Sequence, residues 1–148
     1  MANLTLSNIN DFVGQELGVS DWYVLGQDQI DLFAKATGDD HWTHVDVPRA
    51  ESEIGGTFAH GPLTLSLIPF LSNGIFQITG YKGGYSYGYD KVRLTNVVKA
   101  GAAVRLRATM NEPEERGDGV ISSIKCVIEI EGQERPALVT DWREIYYL

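Results

Sequence analysis

Apolar and polar positions alternate with two different periods along the chain, and the first is helical. Ile30, Phe33 and Ala34 are spaced at i, i+3 and i+4, which is the stripe of an amphipathic helix. Gly38 is a natural C-terminal stop for that helix. The pattern therefore predicts a helix that ends at Gly38 and places Asp39 at its exit.

A later segment, 61–71, is apolar on almost every side, which is typical of a buried helix. Pro62 suits the first turn of this helix. Pro69 does not suit its interior, because proline removes a hydrogen bond, and we expect it to kink the last turn. A short helix is also predicted between Asp46 and Gly55.

After Asn73-Gly74 the period becomes two, which predicts β-strands. Tyr85, Tyr87 and Tyr89 alternate with small or polar residues and begin a long strand. The polar segment between the next two strands is expected to be a hairpin loop, because it is rich in turn residues. The remaining predictions are an early strand at 21–25, long strands at 104–111, 120–130 and 137–147, and the hairpin loop at 111–119.

One buried helix followed by four or more long antiparallel strands is an α+β layout. At 148 residues, the chain is expected to form one domain, 1–148. The sheet must cover the apolar helix with one face, and too few helices remain to cover the other. We therefore expect a homodimer or a dimer of dimers in which the tyrosine-rich strands take part.

Composition excludes several classes of partner. The formal net charge is −8 and Lys and Arg do not cluster, which argues against nucleic-acid binding. No apolar segment reaches the roughly 20 residues needed to span a bilayer. The N-terminus lacks the pattern of a secretion signal, so we expect a cytoplasmic protein without a membrane partner. Cys126 lies in an alternating apolar pattern and is predicted to be a buried strand residue.

Two stretches concentrate the groups capable of chemistry. Residues 36–46 hold three carboxylates and two of the three histidines, and His60 lies in the second stretch, 55–62. We expect these stretches to face each other. A short turn could bring Asp39 and His44 to one cavity, where a carboxylate and an imidazole can activate a water near neutral pH.

Gly61 would let a ligand approach the backbone, and the free N–H groups of a first helical turn suit an oxygen that becomes negative. A purely structural interpretation stays open, in which Gly61 allows tight helix packing and Asp39 and His44 are caps or solvent-facing groups. A metal site is another alternative, because Asp39, Asp40, His41, His44 and His60 are all possible ligands. The spacing of His41 and His44 lacks the Glu-containing helical zinc motif, so no metal is expected.

The pattern Phe-Ala-x-Ala-Thr-Gly-Asp-x-x-x-x-His at 33–44, followed by Ala-His-Gly at 59–61, resembles the MaoC-like dehydratases. This is the (R)-specific enoyl-CoA hydratase family, which has the hotdog fold. The segments 21–23, 63–67 and 87–93 are similar to its nodulation-protein-N-like branch. The resemblance covers nearly the whole chain and implies an antiparallel β-sheet wrapped around a central buried helix.

The resemblance implies that water adds across the 2,3 double bond of a 2-enoyl-CoA or acyl-carrier thioester to give a 3-hydroxyacyl thioester. Asp39 and His44 would be the catalytic pair that activates the water, and the N–H of Gly61 would bind the thioester oxygen. No organic cofactor is expected. A hotdog acyl-CoA thioesterase and a non-catalytic acyl-thioester-binding module are the alternatives, because the same fold can host them.

Several further residues have expected roles beside this pair. His41 and Trp42 stand where the family motif has Asn and Pro, so with His60 they are expected to orient the water or the substrate. Trp42 would fill space that an acyl chain could otherwise occupy. Lys91 and Arg93 are candidates for binding the phosphates of coenzyme A, although a solvated strand edge is the simpler role for such cations.

Overall fold

The computed structural model describes residues 1–148. The longest helix has 11 residues, and none of the helices has the length and hydropathy needed to cross a membrane. In chain order the elements are β1 (Ala2–Thr5), a 3₁₀ helix (Ile9–Phe12), β2 (Glu16–Val19), β3 (Tyr23–Val24), α1 (Gln27–Thr37), α2 (Trp42–Val45), α3 (Val47–Ile54), α4 (Gly61–Ser66), α5 (Ile68–Ser72), β4 (Phe76–Thr79), β5 (Gly83–Leu94), β6 (Ala103–Met110), β7 (Glu114–Arg116), β8 (Gly119–Ile130) and β9 (Leu138–Tyr147).

Seven strands form one sheet whose main order is β2-β6-β8-β9-β5. Neighbouring strands in this order are antiparallel. β3 pairs with β6, and β7 pairs with the first residues of β8. β1 and β4 form a separate parallel pair. The α+β class with an antiparallel sheet and few helices is confirmed.

The core lies between one face of this sheet and the helices α4 and α5. Leu106, Ile124 and Ile128 are fully buried on that face, and they belong to the same apolar cluster as Leu63 and Ile68 of the helices. Cys126 is buried there too, as predicted. Burial raises the pKa of its thiol to about 12, so the thiol stays protonated at neutral pH and behaves as a small apolar side chain.

The predicted helix at 61–71 is two short helices, and this corrects the expectation of a single kinked one. Leu67 separates α4 from α5, and Pro69 lies in the first turn of α5. Proline is tolerated there, whereas in a continuous helix it would remove an internal hydrogen bond. The expectation of burial on every side is also wrong, because Phe70 is 55% exposed.

The long strands β6, β8 and β9 begin and end within one residue of their predicted limits. Two other predictions need correction. The strand expected at 21–25 contains only β3, and the hairpin loop expected at 111–119 contains β7. β7 is short, charged and exposed at the margin of the sheet, so it lacks the apolar alternation that marks a half-buried strand.

The face of the sheet opposite α4 and α5 carries paired charges. Arg105 and Arg107 both donate to Glu129, with N–O distances of 2.6 and 2.8 Å. Burial by itself would raise the pKa of Glu129, but the hydrogen bonds from the two arginines outweigh it and lower that pKa. Arg143 donates to Asp90 at 2.9 Å on the same face. This face therefore carries ion pairs that the apolar cluster on the other face lacks.

Candidate active site

The end of α1 places Asp39 at the site. Gly38 adopts a left-handed conformation with φ 79°, which glycine accepts without strain. Its N–H donates to the carbonyl of Ala34 at 2.8 Å and closes the last turn. The chain then leaves the helix, and the side chain of Asp39 is exposed. The predicted helix end at Gly38 is confirmed.

His44 lies in α2 with its tautomer set by its surroundings. Its Nδ1 is 2.6 Å from the carbonyl oxygen of Phe58, and a carbonyl can only accept, so Nδ1 carries the hydrogen. The neutral ring therefore has its lone pair at Nε2. The main chain of His44 is also held, because Gln27 donates to its carbonyl at 2.7 Å and Thr57 donates to Gln27 at 2.5 Å. His44 is thus held in one orientation with Nε2 free.

His60 joins the two stretches, which face each other as the sequence predicts. It precedes α4 and is 1% exposed. Its Nε2 is 2.8 Å from the carbonyl oxygen of Asp39, so this nitrogen carries the hydrogen. Its ring stacks on that of His44 with centroids 3.8 Å apart and an angle of 25° between the planes. Phe33 lies against its side, with ring centroids 4.9 Å apart.

Asp39, His44 and His60 bring side-chain ligand atoms within 4.8 Å of one another, which bears on the metal alternative. Imidazole lone pairs lie in the ring plane, and a bound ion must be about 2.0–2.1 Å from each nitrogen. Lone pairs that lie in the planes of two rings stacked nearly parallel do not converge on one point. This geometry is therefore unfavourable for a shared metal ion.

Gly61 begins α4 beside a cavity of about 430 Å³. Its N–H makes no hydrogen bond within the chain, and Pro62 next to it has no N–H, so Gly61 is a free donor. A Cβ on Gly61 would lie 2.3 Å from Leu94 Cδ1. Gly61 therefore allows close packing against Leu94, as the structural interpretation expects, and it also keeps a free N–H. Residues that line the cavity with Gly61 and Leu94 include Phe58, Thr64, Val97 and Ala137.

His41 and Trp42 lie at the start of α2, on the solvent side of the pair. His41 is exposed, and its Nδ1 is hydrogen-bonded to the hydroxyl of Thr43 at 2.9 Å. The centroids of the His41 and His44 rings are 6.5 Å apart. Trp42 is half-buried, and the guanidinium of Arg49 covers its ring at 4.1 Å. Whether these two side chains orient water or substrate stays a prediction.

Within one chain, Lys91 and Arg93 lie apart from the other candidate site residues. Leu94 packs on α4, so its neighbour Arg93 points to the opposite face of the sheet. Lys91 lies at an irregularity of β5 with φ 53°, and its Nζ is 3.3 Å from a carboxylate oxygen of Asp141. Binding of coenzyme A phosphates by these two residues stays a prediction.

Three residues that brace the site belong to no motif recognisable in the sequence. Gln27 and Thr57 hold the main chain of His44, as described above. Lys99 donates to the carbonyls of Ile54 and Gly56 at 2.9 and 3.0 Å, which fixes the end of α3 just before His60. No local pattern could reveal these roles, because each bond joins residues far apart in sequence.

The chain is similar to several known proteins. The family model of the MaoC like domain matches residues 8–133. Nodulation protein N of Rhizobium leguminosarum bv. viciae is 42% identical over 146 residues, which cover 96% of this chain and 91% of that protein. 3-Hydroxyacyl-thioester dehydratase Z of Mycobacterium tuberculosis is 38% identical over 130 residues, or 86% of each chain. An (R)-hydratase from A. caviae involved in PHA biosynthesis has the same fold, with a TM-score of 0.71 at 21% identity over 89% of this chain and 94% of that chain.

Proposed function

Because the chain belongs to the MaoC-like domain family, we propose that it is a lyase that hydrates 2-enoyl thioesters and catalyses the reverse dehydration. Water adds across the 2,3 double bond to give a 3-hydroxyacyl thioester. The relative named as a 3-hydroxyacyl-thioester dehydratase supports this class of reaction. One observation carries the proposal: the Asp39 carboxylate and the His44 ring bring ligand atoms within 4.8 Å of each other, and the hydrogen bond of His44 Nδ1 to Phe58 leaves its Nε2 unpaired.

In the proposed reaction, Asp39 and His44 hold one water between them. The Asp39 carboxylate accepts a hydrogen bond from the water and fixes its direction. His44 Nε2 takes a proton as the water oxygen bonds to C3, and it then delivers that proton to C2. The pair ends in the protonation state in which it began. Such acid–base assistance contributes roughly 100- to 10,000-fold in rate.

We assign the N–H of Gly61 to the thioester oxygen. Negative charge builds on that oxygen when C3 is attacked, and a donor fixed beforehand stabilises it without reorganisation. The N–H is free and opens beside the cavity of about 430 Å³. α4 has only six residues, so the assignment relies on this one donor and not on a long helix dipole.

The substrate is expected to be a small-molecule thioester of coenzyme A or of an acyl carrier. Thioester and acyl atoms can occupy the cavity beside Gly61, whose walls include the apolar side chains of Leu94 and Val97. The cytoplasmic location expected from the sequence stays a prediction, which fractionation of cells that express the protein would check.

The test of this function follows two signals in one reaction with crotonyl-CoA. Loss of the enoyl absorbance reports hydration, and release of free thiol reports thioester hydrolysis. We expect the first signal without the second, and longer enoyl-CoA substrates then define the acyl length that the cavity accepts. Release of thiol at the same rate would favour a thioesterase, and binding without either signal would favour a non-catalytic module.

We further propose that the active unit is a homodimer built on β5. This strand is a free edge of the sheet and has 12 residues. Long unpaired edges are templates for pairing with another strand. Tyr85 and Tyr87 on it are exposed, at 66% and 45%. A second copy of β5 would cover this edge, and two such dimers could pair further.

A further inference from the structure

His60 contacts both members of the catalytic pair while facing no solvent. Its Nε2–H is committed to the main-chain carbonyl of Asp39, and its ring lies flat on that of His44. Its other nitrogen, Nδ1, is buried and has no hydrogen-bond partner. A group that orients water or substrate needs an accessible polar atom, and His60 offers none. Its role must therefore be exerted through Asp39 and His44.

The bond from His60 fixes the loop that carries Asp39. It joins Asp39, which follows the C-cap Gly38 of α1, to the residue that precedes α4, 21 positions later in the chain. The N–H of Asp39 has only a long bond to the hydroxyl of Thr37, at 3.4 Å. Without His60, little else would set the direction of the Asp39 carboxylate. A misplacement of about 1 Å in a catalytic group can cost on the order of 100-fold in rate.

The stacked ring of His60 also limits the motion of His44. The Nδ1 of His44 is tied to the carbonyl of Phe58, and the Phe58 ring stands edge-on to it with centroids 5.0 Å apart. His60 closes the remaining side, and Phe33 backs His60 in turn. His44 is therefore held by one hydrogen bond and two aromatic contacts, which leaves Nε2 pointing in one direction.

We propose that His60 is a positioning residue, which fixes the Asp39 main chain through Nε2 and supports His44 through its ring. This replaces the sequence-based expectation that His60 orients water or substrate directly. The proposal rests on the proposed hydratase function only for its kinetic consequences. Its structural content, an ordered Asp39 loop, can be measured without any turnover.

Two matched substitutions separate the hydrogen bond from the ring. His60→Gln keeps an N–H donor that can reach the Asp39 carbonyl but removes the ring, whereas His60→Phe keeps a ring and removes the donor. We expect His60→Phe to lower kcat by roughly 10- to 100-fold with KM within about twofold. His60→Gln should retain at least about ten times the kcat of His60→Phe. If His60→Phe does not fold, His60→Leu, which also lacks the donor, takes its place.

The second readout is the ¹⁵N relaxation of the Asp39 and Asp40 amides in the protein without substrate. We expect their order parameters to fall in His60→Phe and to stay near the parent value in His60→Gln. If the parent protein does not hydrate enoyl-CoA but the order parameters follow this pattern, the hydratase function is refuted and the positioning role of His60 stands. Equal order in all three proteins, or a loss confined to KM, would overturn the positioning role.

Discussion

Asp39 and His44 lie outside the apolar core, since the side chain of Asp39 is exposed and that of His44 is half-buried. Replacing either should therefore leave the fold unchanged. We expect Asp39→Asn and His44→Ala each to lower kcat for enoyl hydration by roughly 100- to 10,000-fold. Circular dichroism should show that both variants stay folded, with a lower melting temperature only for His44→Ala, which loses the bond to Phe58 and the stack on His60. Turnover within a few-fold of the parent, on a substrate that the parent accepts, would refute the assignment.

His41 stands where the family motif has Asn, and in the structure it bonds to Thr43 at the solvent side of the pair. A neutral imidazole offers one donor and one acceptor, much as an amide does. We therefore expect His41→Asn to preserve or raise the hydration rate. Measuring kcat and KM over a series of acyl lengths checks this. A large fall in kcat at every length would show that His41 does more than an amide can.

The candidate residues of the site could be found from the sequence, but not all of the roles proposed for them. Asp39, His44 and Gly61 could be named because acid–base groups and a glycine at a helix start are recognisable local features. The positioning role proposed for His60 could not be predicted, because it depends on which ring nitrogen bonds the Asp39 carbonyl. The bracing contact of Gln27 with His44 joins residues 17 positions apart, so no short pattern contains it.

The C-terminal end of helix α3 is held by a side-chain contact whose contribution to stability can be measured. The Lys99 ammonium donates to two carbonyls at that end. We expect Lys99→Met, which keeps the apolar stem, to lower the free energy of unfolding by about 1 kcal/mol. Lys91→Met is the matched control, since Lys91 is mostly exposed and its single ion pair should contribute less. Urea denaturation of both variants measures the difference, and equal losses would contradict it.

On β9, Glu144 lies on the same face as Trp142 and hydrogen-bonds with Tyr146. Burial raises the pKa of Glu144 above its ordinary value of 4.5, although the bond from Tyr146 opposes this. A raised pKa in the folded state means that stability is lost as the pH rises through that pKa. Glu144→Gln cannot ionise and should avoid this loss. Its melting temperature relative to the parent should therefore be higher at about pH 8 than at about pH 5, and a constant difference would count against this account.

The long strands β6, β8 and β9 could be predicted because buried residues recur at every second position over most of their length. The break at Leu67 was harder to place, because a single proline changes the hydrogen bonds without changing the apolar pattern. The short strands β1, β2, β4 and β7 were not predicted, and β3 was predicted too long, for a different reason. Two to four residues give too little alternation to recognise, and their pairing partners are fixed only by the tertiary fold.

At the scale of the whole molecule, one apolar cluster includes residues from Leu4 to Tyr146. This supports the proposal that 1–148 is one domain of the MaoC-like type. The family and the hotdog fold could be predicted from the sequence because two motifs keep a consistent spacing. The strand through which two copies pair could not be predicted, because edge strands are defined only once the strand order is known.

The proposed dimer predicts a change at one edge of the sheet. We expect sedimentation equilibrium to show a dimer or a dimer of dimers at micromolar concentration. Hydrogen exchange should then show that β5 amides lose protection when the protein is diluted. The opposite edge strand, β2, serves as the internal control and should not change. A monomer at micromolar concentration, or a change at β2 instead, would contradict pairing through β5.

The central claim is that Asp39 and His44 add water to C3 of an enoyl thioester. The most direct measurement places the protein with crotonyl-CoA in water enriched in the heavy oxygen isotope and locates the label by mass spectrometry. We predict label in the hydroxyl group of the intact 3-hydroxyacyl-CoA, and almost none within the same time for Asp39→Asn. Label in the carboxylate of free acid, or equal labelling of the hydroxyl by parent and variant, would contradict the account.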